Sequence, residues 1–157
     1  MMLAEEVGAI LKKRSETVAV AESCTGGALG DVITDVSGSS DYFLGGIISY
    51  GNQAKMSLLG VNERVLREDG AVSEKVAIQM AEGARNRLGS TYGIGITGIA
   101  GPTGATQNKP VGLVFIAVSS GHGSVCEKNL FKGSRREVKD QAASKALKLL
   151  KSVLEKC

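Results

Sequence analysis

Ser23, Lys55 and Tyr50 are the side chains of this sequence whose types and settings could carry chemistry. Ser23 stands in Val18-Ala19-Val20-Ala21-Glu22-Ser23-Cys24-Thr25-Gly26-Gly27. A short apolar run ends there in small polar residues, and a helical pattern follows at once. Such a strand, tight turn and helix start hold a hydroxyl at the carboxyl edge of a sheet. They also expose backbone N–H groups suited to an anion or a developing oxyanion. Lys55 falls in the first turn of a helix that Asn52 is expected to cap and that runs to Leu59. The positive end of that helix disfavours an ammonium, and partial burial lowers the amine pKa further. A neutral amine is a usable general base for a serine hydroxyl. Tyr50, at the expected end of the preceding strand, is placed to orient or relay a proton.

Each of these residues also has a plainer reading. A serine before a helix often serves only as its N-cap. Thr25 can fill that role instead and leave Ser23 free. A lysine at a helix start is commonly a solvated side chain. Cys24 is a rival nucleophile, but the single histidine, His122, falls in an expected hairpin turn, so no Cys–His pair is indicated. Ser39 and Ser40 follow Gly38 in a turn before the second strand and lie one strand length away from Tyr50. Within one subunit that geometry argues against Ser40 as a partner of Lys55, and across a subunit interface it does not. The dinucleotide fingerprint G-x-G-x-x-G is absent after the first strand, and there is no P-loop.

The elements that must position these groups follow from periodicity. Helices are expected over 3–13, 25–36, 52–59, 62–68, 73–88 and 135–155. Strands are expected over 17–21, 46–50, 92–97, 111–119 and 124–131. The last two strands, joined by Ser-Gly-His-Gly, form a hairpin, so the sheet need not be wholly parallel. The fold class is α/β: a three-layer α/β/α sandwich with a mostly parallel or mixed sheet of about five strands, in a single domain over 1–157. Ligands of such sheets bind beyond the carboxyl ends of the strands. Those ends carry Glu22, Ser23, Thr25, Gly26 and Gly27, then Tyr50 and Lys55, then Thr97, Gly98 and Gly101.

The composition narrows the function classes. The net charge is only +3, there is no tryptophan and aromatics are scarce. A stacking surface for nucleic acid is not expected. No run approaches the roughly 18 apolar residues that would suggest a membrane span. Three cysteines without paired spacing fit neither a disulfide framework nor a metal site, and a reducing cytoplasm is the expected setting.

Several motifs, taken together and in order, carry a resemblance. They are Ala21-Glu22-Ser23-Cys24-Thr25-Gly26-Gly27, Gly38-Ser39-Ser40, Ser49-Tyr50-Gly51-Asn52-Gln53-Ala54-Lys55, Gly70-Ala71-Val72-Ser73, Gly95-Ile96-Thr97-Gly98-Ile99-Ala100-Gly101-Pro102 and Lys109-Pro110-Val111-Gly112. The chain resembles the CinA C-terminal domain family over nearly its whole length. The resemblance implies a metal-free, cofactor-free serine amidohydrolase that converts nicotinamide mononucleotide to nicotinate mononucleotide and ammonia. It implies Ser23 as nucleophile, Lys55 as base and Tyr50 beside them. Glu22, Thr25, Gly26, Gly27, Ser40, Thr97, Gly98, Gly101 and Arg135 are the expected substrate-binding residues, with Arg135 reaching a phosphate or carboxylate. A stand-alone deamidase and a homodimer are also expected; a non-catalytic nucleotide-binding module of the same fold is the alternative. Two residues depart from the family pattern. Gly51 replaces a common serine, and Ser134 replaces the acid of Phe-x-Gly-Asp-Arg.

Overall fold

The computed structural model describes residues 2–157. In chain order the elements are α1 (Met2–Arg14), β1 (Val18–Glu22), α2 (Ala28–Thr34), β2 (Phe43–Ile48), α3 (Asn52–Leu59), α4 (Glu63–Asp69), α5 (Glu74–Leu88), β3 (Tyr92–Gly98), β4 (Leu113–Ser120), β5 (Gly123–Leu130) and α6 (Arg135–Lys156). A short 3-10 turn, Ser39–Asp41, precedes β2. The five strands form one sheet in the order β2-β1-β3-β4-β5. β1 pairs in parallel with both β2 and β3, and the β3–β4 and β4–β5 pairings are antiparallel. The sheet is mixed, as the hairpin reading allowed.

Alternation along the strands divides the core into two layers. Val18 and Val20 of β1, with Ile94, Ile96, Val114, Ile116 and Val118, pack against α1, α2 and α6. Ala19 and Ala21 face the other way, into Leu59 of α3, Leu66 of α4, and Val76, Met80 and Ala84 of α5. β1 is therefore buried along its whole length, which places its carboxyl end, and Ser23 just beyond it, deep in the sandwich.

The glycines that dilute β3 let α5 lie directly on the sheet. A Cβ added at Gly95 would stand 2.7 Å from the Ala81 backbone nitrogen, too close for any side chain. These glycines are a packing requirement rather than a break in the strand.

Several element boundaries differ from expectation: β2 begins at Phe43 rather than Gly46, and β4 at Leu113 rather than Val111. α2 starts at Ala28 rather than Thr25, because Gly26 (φ 60°) and Gly27 (φ 112°) hold a left-handed turn that only glycine adopts readily. β2 ends at Ile48, so Tyr50 lies in the β2–α3 connection. Asn52 is the first helical residue, and Gly51 holds the cap position without a side-chain bond. Among the described residues no helix is long and apolar enough to cross a membrane.

Candidate active site

The parallel half of the sheet brings the ends of β2, β1 and β3 side by side. Glu22 pairs with both Ile48 and Ile96. One residue further on, the Ser23 N–H donates to the Ile96 carbonyl at 3.1 Å and the Ser49 N–H donates to the Glu22 carbonyl at 2.8 Å. The backbone of Ser23 is thus an extension of the ladder rather than a mobile loop.

Lys55 meets Ser23 there. Its side chain is only 1% exposed. The Nζ atom lies 2.9 Å from Ser23 Oγ, 2.8 Å from the Ser49 carbonyl oxygen and 3.1 Å from the Tyr50 carbonyl oxygen. An ammonium would donate to all three. A neutral amine has two N–H bonds and one lone pair, and carbonyl oxygens only accept. Both N–H bonds then go to the carbonyls, and the lone pair is left for the Ser23 hydroxyl. Burial lowers the Lys55 pKa, which favours this neutral form. Burial also pushes the adjacent Cys24 thiol up to about 11. Cys24 is therefore protonated at neutral pH and a poor nucleophile.

Ser23 and Lys55 open into a cavity of about 310 Å³. Tyr50, Thr97, Gly98, Gly101 and Arg135 line it, as the sequence placed them, and Cys24, Ala71, Val72, Ile99, Ala100, Thr103 and Gly104 complete the wall. No aspartate or glutamate contributes to the lining. Arg135, the first residue of α6, donates to the Gly101 carbonyl at 2.8 Å and to the Tyr50 hydroxyl at 3.1 Å. With Lys55 neutral, Arg135 is the charged side chain of the lining among the described residues, and its positive charge suits an anionic ligand.

Five expected binding residues do not line the cavity. Ser40 is exposed in the 3-10 turn before β2, at the opposite end of that strand. Glu22 is 2% exposed and accepts the N–H groups of Gly27, Leu29 and Gly30 at 3.2, 3.0 and 2.9 Å. Its carboxylate occupies the N-terminus of α2 and does not line this cavity. The Gly26 N–H is likewise committed, to the Ser23 carbonyl. Gly26 and Gly27 therefore have no donors to offer an oxyanion. Thr25 is buried with its hydroxyl unpartnered. Among the described residues the N–H groups of Cys24 and Thr25 have no protein acceptor.

Tyr50 is also reassigned. Its ring is 63% exposed and its hydroxyl bonds Arg135, while its main-chain carbonyl holds Lys55. It orients the lysine through the backbone. Thr97 acts structurally as well: its hydroxyl donates to the Ala71 carbonyl at 2.8 Å and ties the 70–73 loop to the end of β3. Lys109 donates to the Asp69 carbonyl at 2.6 Å and braces that loop from the other side. The loop escaped the sequence-based site because it precedes a helix and follows no strand. Its Gly70-Ala71-Val72-Ser73 pattern was the available signal.

The model of the CinA C-terminal domain matches residues 1–154. The chain belongs to the CinA C-terminal domain family. A CinA-like protein of Synechocystis is 54% identical over 134 residues, which are 85% of this chain and 32% of that protein. A putative competence-damage inducible protein of Moorella thermoacetica is 51% identical over 143 residues, 91% of this chain and 34% of the relative. The chain thus spans about a third of the length of the curated relatives it matches. Among solved structures, a CinA superfamily protein of Klebsiella pneumoniae superposes with a TM-score of 0.96 at 28% identity, covering 99% of this chain and 98% of that one. A competence/damage inducible protein of Agrobacterium tumefaciens gives 0.94 at 35% identity, with 97% and 93% covered.

The CinA domain also accounts for the departure at Ser134. Its hydroxyl caps α6 by accepting the Glu137 N–H at 3.2 Å, and the Glu137 carboxylate accepts the Ser134 N–H at 2.9 Å. An aspartate at an N-cap makes the same kind of bond. Serine therefore preserves the local geometry that places Arg135.

Proposed function

We propose that this domain hydrolyses the carboxamide of nicotinamide mononucleotide, yielding nicotinate mononucleotide and ammonia in pyridine nucleotide recycling. The observation that carries the reading is the 2.9 Å contact between Ser23 Oγ and Lys55 Nζ, with the rest of the amine held by two carbonyls.

Ser23 Oγ attacks the carboxamide carbon while its proton passes to Lys55 Nζ. The tetrahedral oxyanion takes N–H donors from Cys24 and Thr25 or from the 98–104 loop. The C–N bond then breaks, and Lys55 gives its proton to the departing ammonia. A water attacks the resulting ester, its proton goes to Lys55, and that proton returns to Ser23 Oγ as the acid leaves. Arg135 holds the substrate phosphate at the cavity mouth. The acid-free lining supports an anionic substrate, and the motif resemblance supports this particular amide.

Ammonia release from the pure protein tests the reading. Replacing Ser23 with Ala should lower turnover by about 10³-fold or more and leave the melting transition in place. Near-normal turnover in that variant would end the scheme. A wild-type protein that binds the mononucleotide and releases no ammonia would make the domain a binding module.

A further inference from the structure

We propose that Glu22 is a positioning residue: its buried carboxylate takes over the capping of α2, so that the neighbouring Ser23 hydroxyl stays free to pair with Lys55. The inference rests on the serine-nucleophile reading above.

α2 presents orphan N–H groups at its start, like any helix. Its cap residue, Gly27, has no side chain to satisfy them. A serine, threonine, asparagine or aspartate at the cap position itself commonly supplies the oxygen. Thr25 stands two residues and Ser23 four residues before that position, and neither hydroxyl caps the helix. The Glu22 side chain reaches forward across the turn and accepts from Gly27, Leu29 and Gly30. Glu22 is 2% exposed, and no cationic side chain pairs with it among the described residues. Backbone dipoles alone compensate the buried carboxylate.

The bonding closes a small frame around Ser23. The backbone of Glu22 is fixed in β1 between β2 and β3. Its side chain is fixed to α2. The residues between, Ser23 to Gly26, are held at both ends and cross-tied by the Gly26 N–H to the Ser23 carbonyl and the Ala28 N–H to the Thr25 carbonyl, each 3.1 Å. If the carboxylate is weakened as an acceptor, the orphan donors compete for the nearest hydroxyls. A Ser23 hydroxyl drawn toward α2 leaves the lysine.

Glu22→Gln tests this. It keeps the side-chain shape but points an amide N–H₂ at donors that need an acceptor. The substrate-independent measurement is the rate at which a fluorophosphonate probe labels Ser23, taken well below the melting transition. The expected result is labelling slowed tenfold or more, since a displacement of ~1 Å at a reacting group costs about 10²-fold. For the mononucleotide, kcat should fall by a similar factor while KM changes less than about threefold. Hydrogen exchange at Gly27, Leu29 and Gly30 should quicken. A core truncation at the far end of α6, Leu154→Ala, serves as the destabilised control and should label at the wild-type rate. If Glu22→Gln does not fold, Glu22→Asp, which keeps the charge and shortens the reach, is held to the same criteria. Wild-type labelling in the Glu22 variant overturns the positioning role and leaves the nucleophile intact. A wild-type protein that the probe does not label at Ser23 overturns the nucleophile and this inference with it.

Discussion

Replacing Lys55 with Met is the sharpest perturbation of the site. Methionine is unbranched and apolar, so it can occupy the space of the lysine stem while removing the base. A positioned general base contributes about 10²–10⁴-fold, which corresponds to roughly 3–5 kcal/mol of barrier. Ammonia release by Lys55→Met should fall within that range, with the melt still cooperative. The pH dependence separates a lost base from a damaged pocket. The active form requires neutral Lys55, and burial sets its pKa below the usual 10.5. Wild-type kcat/KM should therefore rise with pH through a midpoint below 10.5, and the residual rate of the variant should not follow that rise. Stability carries the same signature. Between the folded-state pKa and 10.5 the unfolded chain binds the extra proton, so wild-type stability increases with pH across that window. Below the window the full cost of deprotonating or desolvating the amine is present, at about 1.4 kcal/mol for each pKa unit. Lys55→Met removes the cost. Its stability relative to wild type should be highest at low pH and decline as pH rises. Activity within threefold of wild type, or a wild-type rate that falls as pH rises toward 10, would refute the neutral-amine mechanism.

Two further substitutions test the surroundings. Tyr50→Phe keeps the carbonyl that holds Lys55 and loses only the hydroxyl that Arg135 bonds. Its kcat should stay within about fivefold, the expected cost being at most one exposed hydrogen bond of ~1 kcal/mol; a hundredfold loss would restore the phenol as a proton relay. Gly95→Ala forces a methyl against the Ala77 carbonyl and the Ala81 nitrogen of α5. Urea denaturation should show a loss of about 1–3 kcal/mol or more from overpacking, and an unchanged midpoint would mean that α5 does not rest on β3 as described.

The legible part of this protein was what periodicity and strand ends encode. The apolar run of β1 and the helices α5 and α6 needed no tertiary information; the strand-end rule put Ser23, Tyr50, Lys55, Thr97, Gly98 and Gly101 around one cavity, and the motif resemblance added Arg135. The same rule misassigned Glu22. A carboxylate at a strand end looks like a ligand group, and only coordinates show that its acceptors are spent on a helix seven residues away. Gly26 and Gly27 failed for the same reason: whether an N–H is free depends on partners that spacing does not fix. Ala71 and Val72 stood in a recognised motif but were not placed at the site, because their position comes from two long-range bonds, Thr97 to Ala71 and Lys109 to Asp69.

Among the helix N-termini near this end of the sheet, those of α2, α6 and α3 are each handled differently. The start of α2 is filled by Glu22, and the start of α6 by the Ser134–Glu137 box. Those two positive ends are neutralised by the protein's own oxygens and have little left for a substrate. The start of α3 has no side-chain cap, and Lys55 lies in its first turn. An ammonium there faces both burial and an uncompensated positive helix end. Both effects push toward the free amine, and no carboxylate in the cavity opposes them. Filling α3 in the same way should cancel part of that push: Gly51→Asp, which adds a capping carboxylate, should move the rising limb of kcat/KM to higher pH. A limb that stays in place would show that burial alone sets the charge state of Lys55.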